Sequence, residues 1–196
     1  MTFTESIRHN IVHCTNFSDR DPRSAYWWYV LFVSLGALVA MVLDFIIFWP
    51  AAGEGRIAAF LSENFQSITD FYINVMPITT FWYLLNYLPV LACGVRRMRD
   101  QNKPAWWFIV TIIFVTIMSV VVFNVTGPQS AELMMVAFNP NATMSELNRV
   151  LADAEQLNRT STILSGIQTL PSLLIIIWMA TRGTVGPNPH GEDPLG

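Results

Sequence analysis

Four long apolar tracts dominate the chain, at about residues 26–49, 71–95, 105–123 and 162–181. Each approaches the roughly 20 residues that an α-helix needs to cross the hydrocarbon core of a bilayer. Their apolar residues are continuous and do not alternate with polar ones, as they would in the strands of a membrane β-barrel. Because lipid offers no partner for open backbone groups, the pattern predicts an all-α integral membrane protein with four transmembrane helices.

The segment before the fourth tract has a helical pattern of its own. Thr143-Met144-Ser145-Glu146 has the form of a capping box, in which the first and last side chains bond each other's backbone N–H groups. Apolar residues then recur on one helix face: Met144, Leu147, Val150, Leu151 and Leu157. We expect a short amphipathic outer helix here, between helices 3 and 4 and within the outer loop 124–161. Its apolar face either meets a partner or the membrane, or covers the outer end of the protein itself. The other outer loop, 50–70, also has helical spacing.

Lysine and arginine predict the orientation in the membrane. Eight lie on one side, Arg8, Arg20, Arg23, Arg96, Arg97, Arg99, Lys103 and Arg182, and three on the other, Arg56, Arg149 and Arg159. By the positive-inside rule the richer side is cytoplasmic. We therefore expect residues 1–25 and the tail 183–196 in the cytoplasm, flanking a membrane domain of residues 26–182. Aromatic clusters at the cytoplasmic starts of the first and third helices agree with this.

Composition agrees with a membrane location. The chain is 53% hydrophobic and 13% charged, whereas soluble domains are about 25% charged. The net charge of −3 argues against a nucleic-acid partner. Two cysteines, Cys14 and Cys93, cannot build a disulfide framework. The expected partners are membrane lipids and other membrane-protein subunits.

Signatures of catalysis are missing from the sequence. There is no Cys-x-x-Cys, His-Glu-x-x-His, glycine-rich phosphate loop or nucleophile elbow. His9 and His13 could share a helix face, but no third metal ligand lies near them in the sequence. We expect no enzyme activity, no metal and no cofactor, with a bound phospholipid as the one small molecule that the pattern allows.

Asp44 is an ionisable residue inside the first apolar tract. Such a group is by default a candidate functional residue, for example in a proton relay or a transport path. Asp44 also lies close to Pro50 and the outer interface, where a local structural role is the alternative.

Charged and aromatic residues gather at the predicted cytoplasmic side. The candidate site residues are Arg20, Arg23, Tyr26, Trp27, Trp28, Arg96, Arg97, Arg99, Asp100, Trp106, Trp107, Asn188 and Asp193. One interpretation is a set of interlocking ion pairs that anchors helix ends and docks the tail. The other is an anionic-lipid site in which guanidinium groups hold a phosphate.

Three motifs carry a resemblance to a known family. They are Phe17-Ser18-x-Arg20-x-x-Arg23-Ser24-x-Tyr26-Trp27-Trp28, then Pro89-Val90-Leu91-Ala92-x-x-Val95-Arg96-Arg97-Met98-Arg99-Asp100 followed by Trp106-Trp107, then Gly183-Thr184-x-Gly186-x-Asn188-x-x-Gly191-x-Asp193-Pro194. In this order they resemble the family called domain of unknown function 805. The resemblance implies a small protein of the bacterial inner membrane with no established biochemical activity. Family members usually show histidine at Arg99 and often tyrosine at His190, so no proton or metal role of that histidine carries over.

Three functions remain open at this point. The chain is predicted to be a non-catalytic accessory or scaffold subunit of a larger bacterial membrane complex, since it has few polar groups inside its apolar tracts. The alternative is a stand-alone lipid- or small-solute-handling protein with an anionic-headgroup site at its cytoplasmic face. An enzyme acting on a lipid is the third, for which only Asp100 and Asp193 are candidate acids.

Overall fold

A computed structural model describes residues 1–48, 76–137 and 142–195. Within these ranges the chain forms five helices: α1 (Phe3–Val12), α2 (Arg23–Phe48), α3 (Pro77–Asp100), α4 (Trp106–Ala137) and α5 (Met144–Ala180). They contain no strand, and the β-type pairing recorded there is an isolated bridge between Asn188 and Gly191. The all-α prediction is confirmed. Helices α2 to α5 include four stretches long and apolar enough to cross a membrane, Arg23–Ile47, Pro77–Asp100, Trp106–Gly127 and Met144–Ala180.

The expected outer helix is not a separate element. It forms the first part of α5, which runs through 37 residues from Met144 to Ala180. Its predicted capping box is present, because the Thr143 N–H donates to Glu146 Oε2 at 2.8 Å and the Glu146 N–H donates to Thr143 Oγ1 at 3.3 Å. The sequence between this segment and the apolar tract contains neither glycine nor proline. The helix therefore continues without a break.

Helix α4 also extends further than its apolar tract. It continues to Ala137, so residues 124–137, which were expected to be loop, are helical. The polar side chains in this extension bond their own helix: Thr126 Oγ1 donates to the Val122 carbonyl at 2.8 Å and Ser130 Oγ to the Thr126 carbonyl at 2.7 Å. The other expected outer loop, 50–70, lies outside the described residues.

Helix α1 lies in the N-terminal segment, where no helix was expected. Its start is fixed by Thr2, whose side chain accepts from the Glu5 N–H while the Glu5 carboxylate accepts from the Thr2 N–H. Two polar side chains face inward: Ser6 Oγ donates to the Ala25 carbonyl at 2.6 Å, and Asn10 Nδ2 donates to the same oxygen at 3.2 Å. The first turn of α2 therefore holds α1 in place.

The chain packs as two compact units. Unit 1 comprises Met1–Val39, Phe81–Phe114 and Leu170–Gly196, and unit 2 comprises Ala40–Thr80 and Val115–Thr169. The buried apolar cluster of unit 1 consists of Tyr26, Cys93, Val95, Met98, Phe108, Ile175 and Met179. A Cβ atom on Gly94 would lie 2.1 Å from Cζ of Phe108, so α3 can approach the start of α4 this closely only with glycine at that position.

Candidate functional site

The motif residues meet at one end of unit 1. Arg96 and Arg97 lie in the last turns of α3 and are 0% exposed, and Arg20, in the segment between α1 and α2, is also buried. A buried charge is unstable unless it is paired and hydrogen-bonded. We call these three arginines, with Asp21 and Asp100, the arginine cluster.

Arg96 connects α3 to the N-terminal segment. Its Nε donates to Asp21 Oδ2 at 2.8 Å, and its Nη2 donates to Asn10 Oδ1 at 2.7 Å. Its Nη1 donates to the backbone carbonyls of His13 at 2.8 Å and Asn16 at 2.6 Å. Each nitrogen of this guanidinium therefore already has an acceptor within the protein.

Arg97 connects α3 to the end of α5. Its Nε donates to the Met179 carbonyl at 3.2 Å, and its Nη2 donates to the Thr181 carbonyl. Its Nη1 donates to the Asp100 carboxylate one turn further along the helix. These carbonyls belong to the C-terminal end of α5, where a cation also stabilises the negative end of the helix dipole.

Arg20 holds the C-terminal tail. Its Nη1 donates to the carbonyls of Gly186 at 2.9 Å and Gly191 at 3.0 Å, and its Nη2 donates to the Thr184 carbonyl at 2.7 Å. Its Nη2 also donates to Asp100 Oδ1 at 3.1 Å. One interpretation of the sequence had the charged cluster dock the tail. The tail does lie against Arg20, and its Gly186, Gly191 and Thr184 carbonyls accept the hydrogen bonds.

Asn188 and Asp193 shape the tail. Asn188 Nδ2 donates to the Arg99 carbonyl at 3.1 Å. Asp193 accepts from the N–H groups of Gly186 at 2.8 Å and Leu195 at 2.9 Å. These backbone hydrogen bonds hold the pKa of the Asp193 carboxyl below its usual range, with a smaller contribution from the nearby charges of Arg20 and Arg182. Gly186 has a φ of +80°, a backbone conformation that glycine adopts without strain.

Several partners in this network are not among the candidate site residues that the sequence indicated. Asp21 accepts from Arg96, and its other oxygen lies 2.8 Å from His9 Nε2. Asn10 is completely buried in α1. The sequence could have indicated Asp21, because it lies within the first motif. It could not indicate His9 and Asn10, because the helix that brings them to Asp21 was not predicted.

The other predicted site residues lie around the cluster. Tyr26 is buried in the core, whereas Trp27, Trp28, Trp106 and Trp107 are exposed. Trp106 and Trp107 stack on each other with ring centroids 4.3 Å apart. Arg23 and Arg99 are not fully buried; Arg23 Nη1 donates to the Ala180 carbonyl at 3.2 Å and Arg99 Nη1 to the Ser18 carbonyl at 3.0 Å. Arg23, Trp27, Trp28 and Asp193 share an open groove beside the arginine cluster.

Asp44 lies in unit 2 and is buried. Its two oxygens accept from the backbone N–H groups of Ile78 and Thr79, each at 2.8 Å. These groups are at the start of α3, where the first N–H groups have no partner within the helix. Of the two roles that the sequence left open for Asp44, this geometry favours the structural one.

The predicted apolar face of the outer segment is divided in the structure. Val150 is 3% exposed and Leu147 and Leu157 are half-buried, whereas Met144 and Leu151 are 71% and 54% exposed. Val150 and Leu157 line a cavity of about 240 Å³ in unit 2 together with Val125 and Leu133 of α4. Part of this face therefore covers the protein itself.

Clusters that could hold a metal ion are not found in the described ranges, where no three His, Cys, Asp or Glu side chains come together. His9 is paired with Asp21, and His13 Nδ1 lies 2.9 Å from the His9 carbonyl. The two imidazoles therefore already have partners within the protein.

Comparison with known proteins places the chain in a family. The profile of a family described as "Protein of unknown function (DUF805)" matches residues 14–192. The inner membrane protein YhaH of Escherichia coli strain K12 is 28% identical over 109 residues, which cover 55% of this chain and 74% of that protein. YhaH of Escherichia coli O157:H7 matches with the same figures. No solved structure matches the chain. The family that the three motifs indicated is thus confirmed, and the chain belongs to the DUF805 family of proteins of unknown function.

Proposed function

We propose that this membrane protein is a non-catalytic accessory or scaffold subunit of a larger complex in the bacterial inner membrane, with both termini in the cytoplasm. In this proposal a helix of another membrane protein packs against the outer face of α3. The observation that carries it is the pair of tyrosines, Tyr83 and Tyr87, on that face.

Tyr83 and Tyr87 lie one turn apart within the stretch Pro77–Asp100. They are 52% and 54% exposed, and neither hydroxyl bonds to any residue that the structure describes. Asn86, between them, is different: it is buried, and its Oδ1 accepts from the Tyr29 hydroxyl at 2.9 Å. The polar group that faces inward is paired, and the two that face outward have no hydrogen-bond partner in the described part of the chain.

The depth of these hydroxyls in the membrane supports the proposal. With Arg97 at the inner surface, Tyr87 lies about ten residues into the membrane, or about 15 Å at 1.5 Å per residue. That is near the middle of a hydrocarbon core roughly 30 Å thick. A hydroxyl without a hydrogen bond is disfavoured in hydrocarbon, and a hydrogen bond between membrane helices contributes about 1 kcal/mol. A neighbouring helix that offers an acceptor relieves this cost, and lipid chains do not.

The internal pairing of the charged groups supports a non-catalytic role. Asp100, one of two candidate acids for an enzyme, accepts from both Arg20 and Arg97. Asp44, the candidate for a transport path, accepts from two backbone N–H groups. Both carboxylates therefore have structural partners, which supports the non-catalytic role.

Photo-crosslinking in membranes of the native host tests the proposal. A photoreactive amino acid replaces Leu84, which is 70% exposed beside the tyrosines, and in a control it replaces Ile117 of α4, which is 56% exposed. We expect one discrete crosslinked membrane protein from position 84 and none from position 117. Crosslinks to lipid alone at both positions would contradict the accessory role.

A further inference from the structure

The arginine cluster borders an open groove of about 1000 Å³ in unit 1. The first turns of α2 form one wall, with Arg23, Trp27, Trp28 and Leu31, and the end of α5 and the tail form the other, with Arg182 and Leu195. Both α2 and α5 carry a candidate membrane span, and the groove lies at the start of α2 and the end of α5. In a membrane these helix ends would lie at the level of the lipid headgroups.

Two cations in the groove have little to bind within the protein. Arg23 is exposed and donates a single hydrogen bond, to the Ala180 carbonyl at 3.2 Å. Arg182 is exposed and has no hydrogen bond or salt bridge with the described residues. Arg97, which lies deeper in the same groove, is by contrast fully occupied by Asp100 and by carbonyls of Met179 and Thr181.

The carboxylates that line the groove are already engaged. Asp100 is paired with Arg20 and Arg97. Asp193 accepts from two backbone N–H groups of the tail, although it also feels the charge of Arg182. Among the described residues, Arg23 and Arg182 are therefore the groove cations that have no carboxylate partner, and their charge is complementary to an anion.

The apolar part of the groove indicates an amphiphile. Trp27 and Trp28 are 37% and 40% exposed, and Leu31, one turn further along α2, is also exposed. The rings are fixed by edge contacts, Trp27 with Tyr26 at 5.4 Å and Trp28 with Phe3 at 5.9 Å between centroids. Tryptophan is favoured at the boundary between headgroups and acyl chains.

We propose that this groove binds an anionic phospholipid. Arg23 and Arg182 hold its phosphate, guanidinium groups being suited to paired hydrogen bonds with phosphate oxygens. The Trp27 and Trp28 rings contact the glycerol and ester region, and Leu31 contacts the first acyl methylenes. The site is independent of the α3 face proposed above for a partner protein.

Native mass spectrometry of the delipidated full chain in mild detergent tests this site. The probes are phosphatidylglycerol and phosphatidylcholine with identical acyl chains. We expect the wild type to prefer phosphatidylglycerol and Arg23→Gln with Arg182→Gln to bind it about tenfold to thirtyfold more weakly, from the loss of two charges near the membrane surface. The matched control Arg8→Gln removes an exposed charge of α1, outside the groove, and should leave binding unchanged.

Three results would overturn the proposal: an unchanged preference in the double variant, an equal loss in Arg8→Gln, or displacement of the lipid by inorganic phosphate at equal concentration. The last would mean a site for free anions. A second measurement needs no variant. Phosphatidylglycerol with a photoreactive group near its ester should label Trp27, Trp28 or Leu31 of the wild type, and labelling confined to other parts of the chain would contradict the assigned groove.

Discussion

Arg96 is a buried cation whose charge is shared among four acceptors of the N-terminal segment. A single carboxylate rarely offsets the loss of hydration of a buried arginine, and further hydrogen bonds to the guanidinium are needed. Carbonyl groups supply most of them here, as they also do for Arg20 and Arg97. The chain thus uses its motif arginines to join segments that are distant in sequence.

Arg96→Lys keeps the charge and loses the fixed fork of donors. Lysine cannot reach Asp21, Asn10 and the two carbonyls at once, so buried acceptors lose their partners. We expect the free energy of unfolding to fall by about 2 kcal/mol or more, measured by thermal unfolding in detergent. Arg8→Lys, at an exposed position of α1, is the control and should change the stability little; equal effects of the two substitutions would mean that the Arg96 contacts contribute nothing.

Asp44→Ala tests the capping role of this residue. The change leaves the Ile78 and Thr79 N–H groups without their acceptors, which costs about 1–3 kcal/mol for each group that stays buried. The variant should therefore unfold at a lower temperature, and Asp44→Asn, which keeps one acceptor oxygen, should lie between it and the wild type. A stability equal to that of the wild type in Asp44→Ala would return Asp44 to the list of candidate transport residues.

At the scale of the helices, apolar length was a sufficient guide to α2, α3, α4 and α5 but not to their ends. Helix α5 combines an amphipathic segment with an apolar one. Hydropathy changes at the boundary between them, so the sequence predicted two elements, but the helical backbone continues across it. The sequence did not predict α1, because its buried face is polar. Ser6 and Asn10 are buried and both donate hydrogen bonds to the Ala25 carbonyl. Helices are predicted from the regular spacing of apolar residues on one face, and the buried face of α1 lacks that spacing.

The sequence predicted most residues of the candidate site but not the hydrogen bonds between them. The sequence grouped Arg20, Arg96, Arg97 and Asp100 on one side of the membrane. In the structure Asp100 pairs with Arg20 and Arg97, and Arg96 pairs with Asp21. The sequence could not indicate that backbone carbonyls would be the main acceptors, because every residue has one. Only the structure distinguishes Arg23 and Arg182, which have no carboxylate partner among the described residues, from the arginines that are paired.

The exposed tyrosines of α3 allow a direct test of the proposed contact with a partner helix. Tyr83→Phe with Tyr87→Phe removes two hydroxyl oxygens and almost nothing else. If a partner helix accepts their hydrogen bonds, assembly should weaken by about 1 kcal/mol per hydroxyl, measured by co-purification at increasing detergent. Tyr29→Phe is the matched control, since its hydroxyl bonds Asn86 inside unit 1 and its loss should lower stability without affecting assembly. A double variant that assembles like the wild type would exclude these hydroxyls from the interface.

For the whole molecule, the distribution of basic residues, eight against three, predicts that both termini lie in the cytoplasm. A reporter enzyme active only in the periplasm should be inactive when fused after Gly196 and active when inserted between α4 and α5. The opposite pattern would place the arginine cluster in the periplasm. The depth of Tyr87 in the membrane would then be measured from the periplasmic surface.

The accessory role is the central claim, and the mass of the particle extracted in mild detergent from native membranes tests it most directly. The chain alone has a mass of 22.2 kDa, and native mass spectrometry at an activation high enough to strip detergent and lipid gives the mass of the protein components alone. We predict a larger particle that contains at least one different membrane protein, and a shift to the single chain in the Tyr83→Phe, Tyr87→Phe variant. Recovery of the wild type only as a single chain, or only as copies of itself, would contradict the account.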